Sequence, residues 1–525
     1  MAHRIPKTLL YAVPAPRQNF SCALSSTLAT TTDADFIKDH AKPFSSIPQP
    51  PKIPLFGHTL LYHALGPYKI EKYHEALRDL YKKYGPVVRQ QLQGGAQGEV
   101  VHVFELEDIA KVMAAGGAAP VVPPIQEGSR LYRLMRGHAV GLGNMNGEQW
   151  KTLRKASQQQ LLKPNHINQF LPSVEKVSQI LIDELRARRD KDGAVENFYT
   201  LIAKWYLEIS GAIMFEKPLG ALNGNLREQD EAREWVQANI DIFRLNSKLK
   251  VASPLFKVFP IKPWRQLVRA EEKFHHFVEK YLVDALGKIE QLANAGGLDG
   301  KFNFLTTMLS KEQISRKDMV FFIHSMFSEG LATVPSTMQS CIYSLMKHPV
   351  VQEKLYDEIR QNVDLLQEIT PEILDKLSYT KAVIKETFRM FPLGTELSRV
   401  AQKTLVLGGY EIPPGTVIDL NHSSLLRSEK YFPEPNKFIP ERWLRGDEQA
   451  TQNAILLTPF GHGARMCVGR RFSQQAMHAG LARLVQRFKF VDEKKEHDLP
   501  YNQVYQTLLF PNRELKVKIE YRPQN

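Results

Sequence analysis

The stretch Phe460-Gly-His-Gly-Ala-Arg-Met-Cys-Val-Gly469, followed at once by an amphipathic pattern from Arg470 to Phe488, decides how the rest of the chain is read. Cys467 stands just ahead of a helix start, where free backbone N–H groups and the helix dipole favour a thiolate. Glycines at 461, 463 and 469 allow tight turns and the close approach of something flat. Arg465 can meet an anionic group. Taken alone, a cysteine among glycines is as often an inert structural residue. Of the other two cysteines, Cys22 lies near the N-terminus, and Cys341 falls in the apolar pattern Ile342, Leu345, Met346 and reads as core.

Upstream of that loop, apolar residues recur at threes and fours. The pattern predicts helices over Lys69 to Tyr84, Gly147 to Leu162, Pro172 to Arg188, Val195 to Phe215, Glu228 to Arg244, Pro263 to Leu292, Ser315 to Lys347, Val350 to Val363 and Lys376 to Phe391. Strand-like stretches are short: Val87 to Leu92, Val100 to Phe104, Lys403 to Val406, Val417 to Asn421 and Leu515 to Tyr521. Length alone would suggest about three domains. Without repeats or a long interior linker, residues 43–525 read instead as one large, mostly α domain with a small β-sheet.

Composition narrows the function classes. The 525 residues are 43% hydrophobic and 24% charged, which excludes a disordered, collagenous or coiled-coil chain. Three cysteines exclude a disulfide scaffold and fit a reducing compartment. No apolar run approaches the ~18 residues of a spanning helix, so the chain can lie on a membrane but is not expected to cross one. Sixty-nine basic side chains against 56 acidic leave +13, of which residues 1–42 hold only +2 (five basic, three acidic). A basic body suits an acidic partner or an anionic membrane. Nucleic acid is disfavoured, because there is no zinc-finger spacing and no dense Lys/Arg run.

The first 32 residues contain no Asp or Glu, carry Arg4, Lys7 and Arg17, and are rich in Ser and Thr. This is the composition of an organelle transit peptide, although Pro6, Pro14 and Pro16 would interrupt an amphipathic helix and a disordered tail is the plain alternative. Residues 1–42 are taken as such a presequence. The Pro-rich Ile47 to Pro54 follows.

The loop resembles the haem-binding loop of the cytochrome P-450 family of haem-thiolate monooxygenases: Phe460, Gly463, Arg465, Cys467 and Gly469 stand at the family spacing. The resemblance runs from about Ile47 to Tyr521. It implies the cytochrome P-450 fold, with haem b between the long central helix and the cysteine loop, Cys467 as the iron's axial thiolate and Arg465 beside a haem propionate. A thiolate pushes electron density onto the iron and favours O–O cleavage. It also implies that Trp150, Arg154 and Arg399 serve the propionates. By the same resemblance Glu386, Arg389 and Arg442 form a buried charge network bracing the loop, where losing one member would strand another. Read from the residues alone, the Glu386/Arg389 pair would be a surface bridge and Trp150 plain core.

On the helix Ser315 to Lys347 the family run Ala-Gly-any-Asp-Thr-Thr is replaced by Glu329-Gly-Leu-Ala-Thr-Val334, then Pro335. Thr333 matches the threonine that the family uses in oxygen activation, and Ala332 replaces its acidic neighbour. Glu329, four residues before Thr333, leans to the same face. Pro335 leaves the Leu331 carbonyl without its helical donor and is expected to open the helix there. Glu329 is then a proton relay; the alternatives are a contact to a polar substrate group or a member that simply couples poorly.

Lys381 and Lys385, with Arg470 and Arg471, match the sites where animal mitochondrial members dock an acidic two-iron ferredoxin (adrenodoxin), which draws electrons from NADPH through its reductase. On the residues alone the two lysines are a solvated face. Ser247 to Pro260 reads as a loop whose Leu249, Leu255, Phe256 and Phe259 dip into the inner mitochondrial membrane from the matrix side, or as an ordinary packed loop. The resemblance implies insertion of one oxygen atom into a lipophilic substrate, a sterol or steroid (an ecdysteroid in an arthropod). A detoxifying or cuticle-related monooxygenase, a haem-thiolate isomerase or dehydratase of an oxygenated lipid, and a haem sensor or carrier are the alternatives.

Overall fold

The computed structural model describes residues 41–523 apart from 55, 64–65, 93–97, 253, 298–302, 445–455 and 493–500. The presequence reading of residues 1–42 therefore falls almost wholly outside the described residues.

The body is helical because its apolar stripes find one another. The central helix Arg316–Lys347 is buried along most of its length, and a main core gathers on it from Phe198–Met214, Leu226–Lys250, Lys262–Asn294 and Arg470–Arg487. One glycine sets the closest approach. A Cβ on Gly330 would lie 2.3 Å from Cε1 of buried Tyr206, so only glycine lets helix Phe198–Met214 pack at this height. The chain begins the central helix at Ser315, whose hydroxyl accepts from the Asp318 N–H.

A smaller core packs around a four-stranded sheet in the order Val87–Gln91, Glu99–Val103, Val417–Leu420, Leu397–Val400. The outer pairs are antiparallel, whereas Glu99–Val103 runs parallel to Val417–Leu420. Ala194–Val195, Val517–Tyr521 and Phe488–Val491 form a second sheet. Hairpins pair Leu405–Leu407 with Tyr410–Ile412 and Gln503–Gln506 with Leu508–Pro511.

Several expectations change. Helix Leu226–Lys250 runs six residues past Arg244, so Ser247 to Lys250 is its last turn and not loop. Leu249 and Phe256 turn into the core, and among the described side chains of that stretch Val258 and Phe259 are the exposed apolar ones; the Leu255 side chain lies outside the described residues. Lys376 to Phe391 is split, with Pro371–Lys376 ending before Ser378–Met390 begins. Helices Leu106–Ala115 and Glu127–Met135 and strand Leu397–Val400 were not anticipated. The strand is four residues long and exists through its ladder to Val417–Leu420.

Pro335 does not break the central helix. Hydroxyls of Thr333, Ser336 and Thr337 donate to the carbonyls of Glu329, Ala332 and Thr333, lacing the turns on either side of the proline together. Among the described residues, no helix is long and apolar enough to cross a membrane.

Candidate active site

The cysteine loop is held by its own backbone. The Cys467 N–H donates to the Phe460 carbonyl at 2.8 Å and the Met466 N–H to that of Gly463 at 3.0 Å. Gly461 and Gly463 sit at φ 73° and 70°, the left-handed region in which a side chain is strained. The Phe460 ring meets Phe388 edge-on at 5.5 Å, seating the loop against helix Ser378–Met390. The Cys467 sulfur opens into a cavity of about 510 Å³ that Phe460, Gly469, Trp150, Arg154, Arg399, Arg465, Glu329, Gly330 and Thr333 also line. Burial pushes the Cys467 thiol up, and the Glu329 carboxylate adds to this. The Gly469 N–H and the Arg154 and Arg470 cations act the other way. The expected thiolate-favouring effect of the helix start is thus outweighed by desolvation.

Three guanidinium groups converge on this cavity. Arg465 lies 3.8 Å from the Trp150 ring centroid and donates to the Pro120 and Met145 carbonyls and to Asn146 Oδ1. Trp150 is a buried member of the main core, as the plain reading had it, and also the platform for a cation. Arg154, one turn further along helix Gly147–Leu161, donates to the Met466 carbonyl at 2.6 Å and ties that helix to the loop. Arg399 comes from strand Leu397–Val400 and donates to its neighbour's carbonyl. Among the described residues none of the three is paired with a carboxylate. Desolvation, with repulsion from Arg399 and Arg154, lowers Arg465 to about 10. Such a cluster offers uncompensated positive charge to an anionic occupant.

On the central helix, Glu329 and Thr333 both face the cavity. The Glu329 side chain is exposed to the cavity, which itself lies inside the protein, and loss of bulk water there raises its pKa to about 7 despite Arg133. The Thr333 hydroxyl donates to the Glu329 carbonyl at 2.8 Å and not to its carboxylate.

Behind the loop, Glu386 and Arg389 are fully buried. Arg389 Nε and Nη2 bind the two Glu386 oxygens at 2.9 and 2.8 Å, and the rest of the guanidinium reaches the carbonyls of Leu426, Pro435 and Lys437. Glu386 also accepts from the Ile439 N–H and from Trp443 Nε1. Arg442 comes no nearer than 3.5 Å to Glu386 and donates to the Glu434 carbonyl, so Trp443, its sequence neighbour, makes the closer contact. The surface-bridge alternative fails here.

Lys381 is partly exposed beside Asp375, and Lys385 is exposed on the same helix. Arg470 and Arg471 open helix Arg470–Arg487, which packs against that helix. Burial pushes His478 down to about 3, and Lys381 and Lys385 add to the effect, so the lysines and the helix after Cys467 share one positive field.

Two groups of residues escaped sequence reasoning. Arg133, from the unanticipated helix Glu127–Met135, reaches fully buried Glu271 (3.7 Å) and His324 (3.4 Å) beneath Glu329. Lys250, Glu396 and Asp419 put charges into the same cavity wall. A charge on the apolar face of a helical pattern was the available signal for Glu271.

The family model described as Cytochrome P450 matches residues 47–519. The chain belongs to the cytochrome P450 family. It is therefore a cytochrome P450 oxidoreductase, of a family built around haem iron. It is 37% identical to "Probable cytochrome P450 CYP44" of Caenorhabditis elegans, over 89% of this chain and 92% of that protein. It is 28% identical to "Probable cytochrome P450 49a1" of Drosophila melanogaster, over 96% and 88% of the two chains. It is also 28% identical to the mouse protein named "1,25-dihydroxyvitamin D(3) 24-hydroxylase, mitochondrial", over 90% and 88%.

Proposed function

We propose that Cys467 ligates the iron of haem b and that this cytochrome P450 inserts one oxygen atom from O₂ into a sterol or steroid, with electrons from NADPH through a mitochondrial ferredoxin reductase and a two-iron ferredoxin. The reading is carried by one observation: the Cys467 sulfur and three guanidiniums without a carboxylate partner among the described residues, Arg154, Arg399 and Arg465, open into one cavity. Arg154, Arg399 and Arg465, with Trp150 beneath Arg465, would hold the two propionates. Haem bound there supplies the one-electron and oxygen chemistry that no side chain offers.

The chain's own groups do the rest. Apolar Phe322, Met326, Val334, Phe388, Leu393 and Leu397 face the cavity and exclude water from a lipophilic substrate. Glu329 holds a proton near neutrality on its carboxyl and passes it toward the cavity, replacing the acidic group missing at Ala332. Thr333 offers its hydroxyl on the same wall. Glu386 and Arg389 fix the loop from behind.

Lys381 and Lys385, with Arg470 and Arg471, form the ferredoxin-docking face. The site of action is the matrix side of the inner mitochondrial membrane, reached by a presequence in residues 1–42. The +13 charge and the mitochondrial name of the mouse relative support this placement.

The test is spectroscopic and catalytic. The reduced, carbon-monoxide-bound protein should show the red-shifted Soret band of a thiolate haem, and Cys467→Ala should abolish it. An intact band in that variant refutes the ligand. Turnover should need NADPH, ferredoxin and O₂ together. Turnover without them would point to an isomerase or dehydratase. Glu329→Ala should slow product formation and divert electrons to hydrogen peroxide with substrate affinity nearly unchanged. Loss of substrate binding at an unchanged coupling ratio would make Glu329 a substrate contact.

A further inference from the structure

Seven serines and threonines lie along the central helix Arg316–Lys347, and six of them engage their hydroxyls inside the protein. Ser328 donates to Asn239 and Ser340 pairs with Tyr501, while Thr333, Ser336, Thr337 and Ser344 donate to carbonyls four residues back. Ser325 is the exception. Among the described residues its hydroxyl has no hydrogen-bond partner. Ser325 is half-buried, its oxygen keeps accessible surface, and it lines the same cavity as Glu329, one turn further along.

Ser325 shares a corner of that cavity with Arg133. A Cβ on Gly141 would lie 2.7 Å from Ser325 Oγ and 3.0 Å from Arg133 Nη1, and Gly141 has φ 83°, so glycine is what keeps the corner open. The guanidinium is itself tied off: Nη1 donates to the Val140 carbonyl at 3.0 Å and Nη2 reaches His324 Nδ1 at 3.4 Å. A cation beside a hydroxyl draws the oxygen lone pairs toward itself and turns the O–H away, here into the cavity. The open group is therefore a donor, and what it takes is an acceptor. An ammonium has none and would meet Arg133. A carboxylate or sulfate would give up its water for one neutral donor, because Arg133 is already offset by Glu271 at 3.7 Å. A hydrocarbon leaves the hydroxyl dry and unpaired. A neutral keto or hydroxyl oxygen on a lipophilic frame supplies one acceptor for the one donor, with the frame against Phe322 and Met326 on the same wall.

We propose that Ser325 anchors the substrate: its hydroxyl donates to a keto or hydroxyl oxygen of a lipophilic molecule, so that this cytochrome P450 prefers frames oxygenated at one end and holds them in one orientation. This rests on the reading of the cavity as the substrate site of a lipid-oxidising enzyme and narrows it to a chemical class and an anchoring residue.

The experiment uses steroid and terpenoid frames in sets that differ at a single position: ketone, alcohol and the deoxy compound. Binding to the haem-loaded full chain is measured by equilibrium dialysis for the parent and for Ser325→Ala. One neutral hydrogen bond predicts that, for at least one position, the preference for the oxygenated over the deoxy compound falls about fivefold in Ser325→Ala, while the deoxy compound binds as well as before. A merely structural role would weaken all three members of a set alike. In turnover Ser325→Ala should also spread oxidation over more positions of the same frame. Equal preferences in parent and Ser325→Ala for every set overturn the proposal. So does a panel in which no oxygenated frame binds, or a preference lost in Glu329→Ala but kept in Ser325→Ala. The carbon-monoxide spectrum of the same preparation separates the two failures. A thiolate band with equal preferences sinks this inference alone, and a missing band sinks the haem reading.

Discussion

Glu329 is one acid among neighbours that mostly disfavour its charge. Desolvation lifts it to about 7 from its ordinary 4.5, Arg133 opposes and Glu271 adds. Below pH 4.5 folded and unfolded chains both keep the proton. Between 4.5 and 7 the unfolded chain releases it first, so stability falls as pH rises, and the loss is complete above about 7. Glu329→Gln has no such titration. The variant should be the more stable protein at pH 8, with a melting-temperature gap over the parent that shrinks toward pH 5. Melting curves at the two pH values measure it, and a gap independent of pH contradicts the assignment.

At the scale of elements, two contacts fix the angle and height of helices around the site. Gly330→Ala puts a methyl 2.3 Å from the Tyr206 ring. Alanine gains about 1 kcal/mol of helix propensity over glycine, but overpacking a buried ring costs ~1–3 kcal/mol, so a net loss is expected in urea unfolding. Glu386→Gln leaves Arg389 charged, buried and without its bidentate partner. The cost should be ~3–5 kcal/mol, and the cysteine loop should loosen with it, read as faster haem loss. A variant as stable as the parent would mean that the three carbonyl acceptors of Arg389 suffice. At the edge of helix Leu226–Lys250, exposed Val258 and Phe259 are the apolar tip that survives from a longer expected membrane segment. Replacing both with serine should let high salt strip the protein from anionic vesicles that retain the parent.

For the whole molecule, charge is the readable quantity. With a net +13, capture of an acidic ferredoxin should weaken steeply between low salt and ~0.5 M salt. Changing Lys381 and Lys385 together to glutamine should raise the ferredoxin Kd several-fold at low ionic strength and flatten the salt dependence, with the two proteins converging at high salt. Calorimetric or optical titration at two salt concentrations checks it. Equal affinity at low salt moves the docking face elsewhere.

Family, fold class and most long helices were legible in the chain itself. The spacing Phe460, Gly463, Arg465, Cys467, Gly469 is local chemistry, and amphipathic periodicity records which side of a helix meets a core. Glu329 and Thr333 could be placed on one face for the same reason. Tertiary structure alone decided whatever depends on residues far apart in sequence. Strand Leu397–Val400, and with it Arg399, exists through its ladder to Val417–Leu420. Trp443 reaches Glu386 across 57 positions, a contact that no spacing announces. Pro335 leaves the helix whole because neighbouring hydroxyls bind carbonyls four residues back within a packed core. The Lys250–Glu396 pair joins groups 146 positions apart, so its partnership and its burial arise only when the helix end and the strand come together at the same cavity wall.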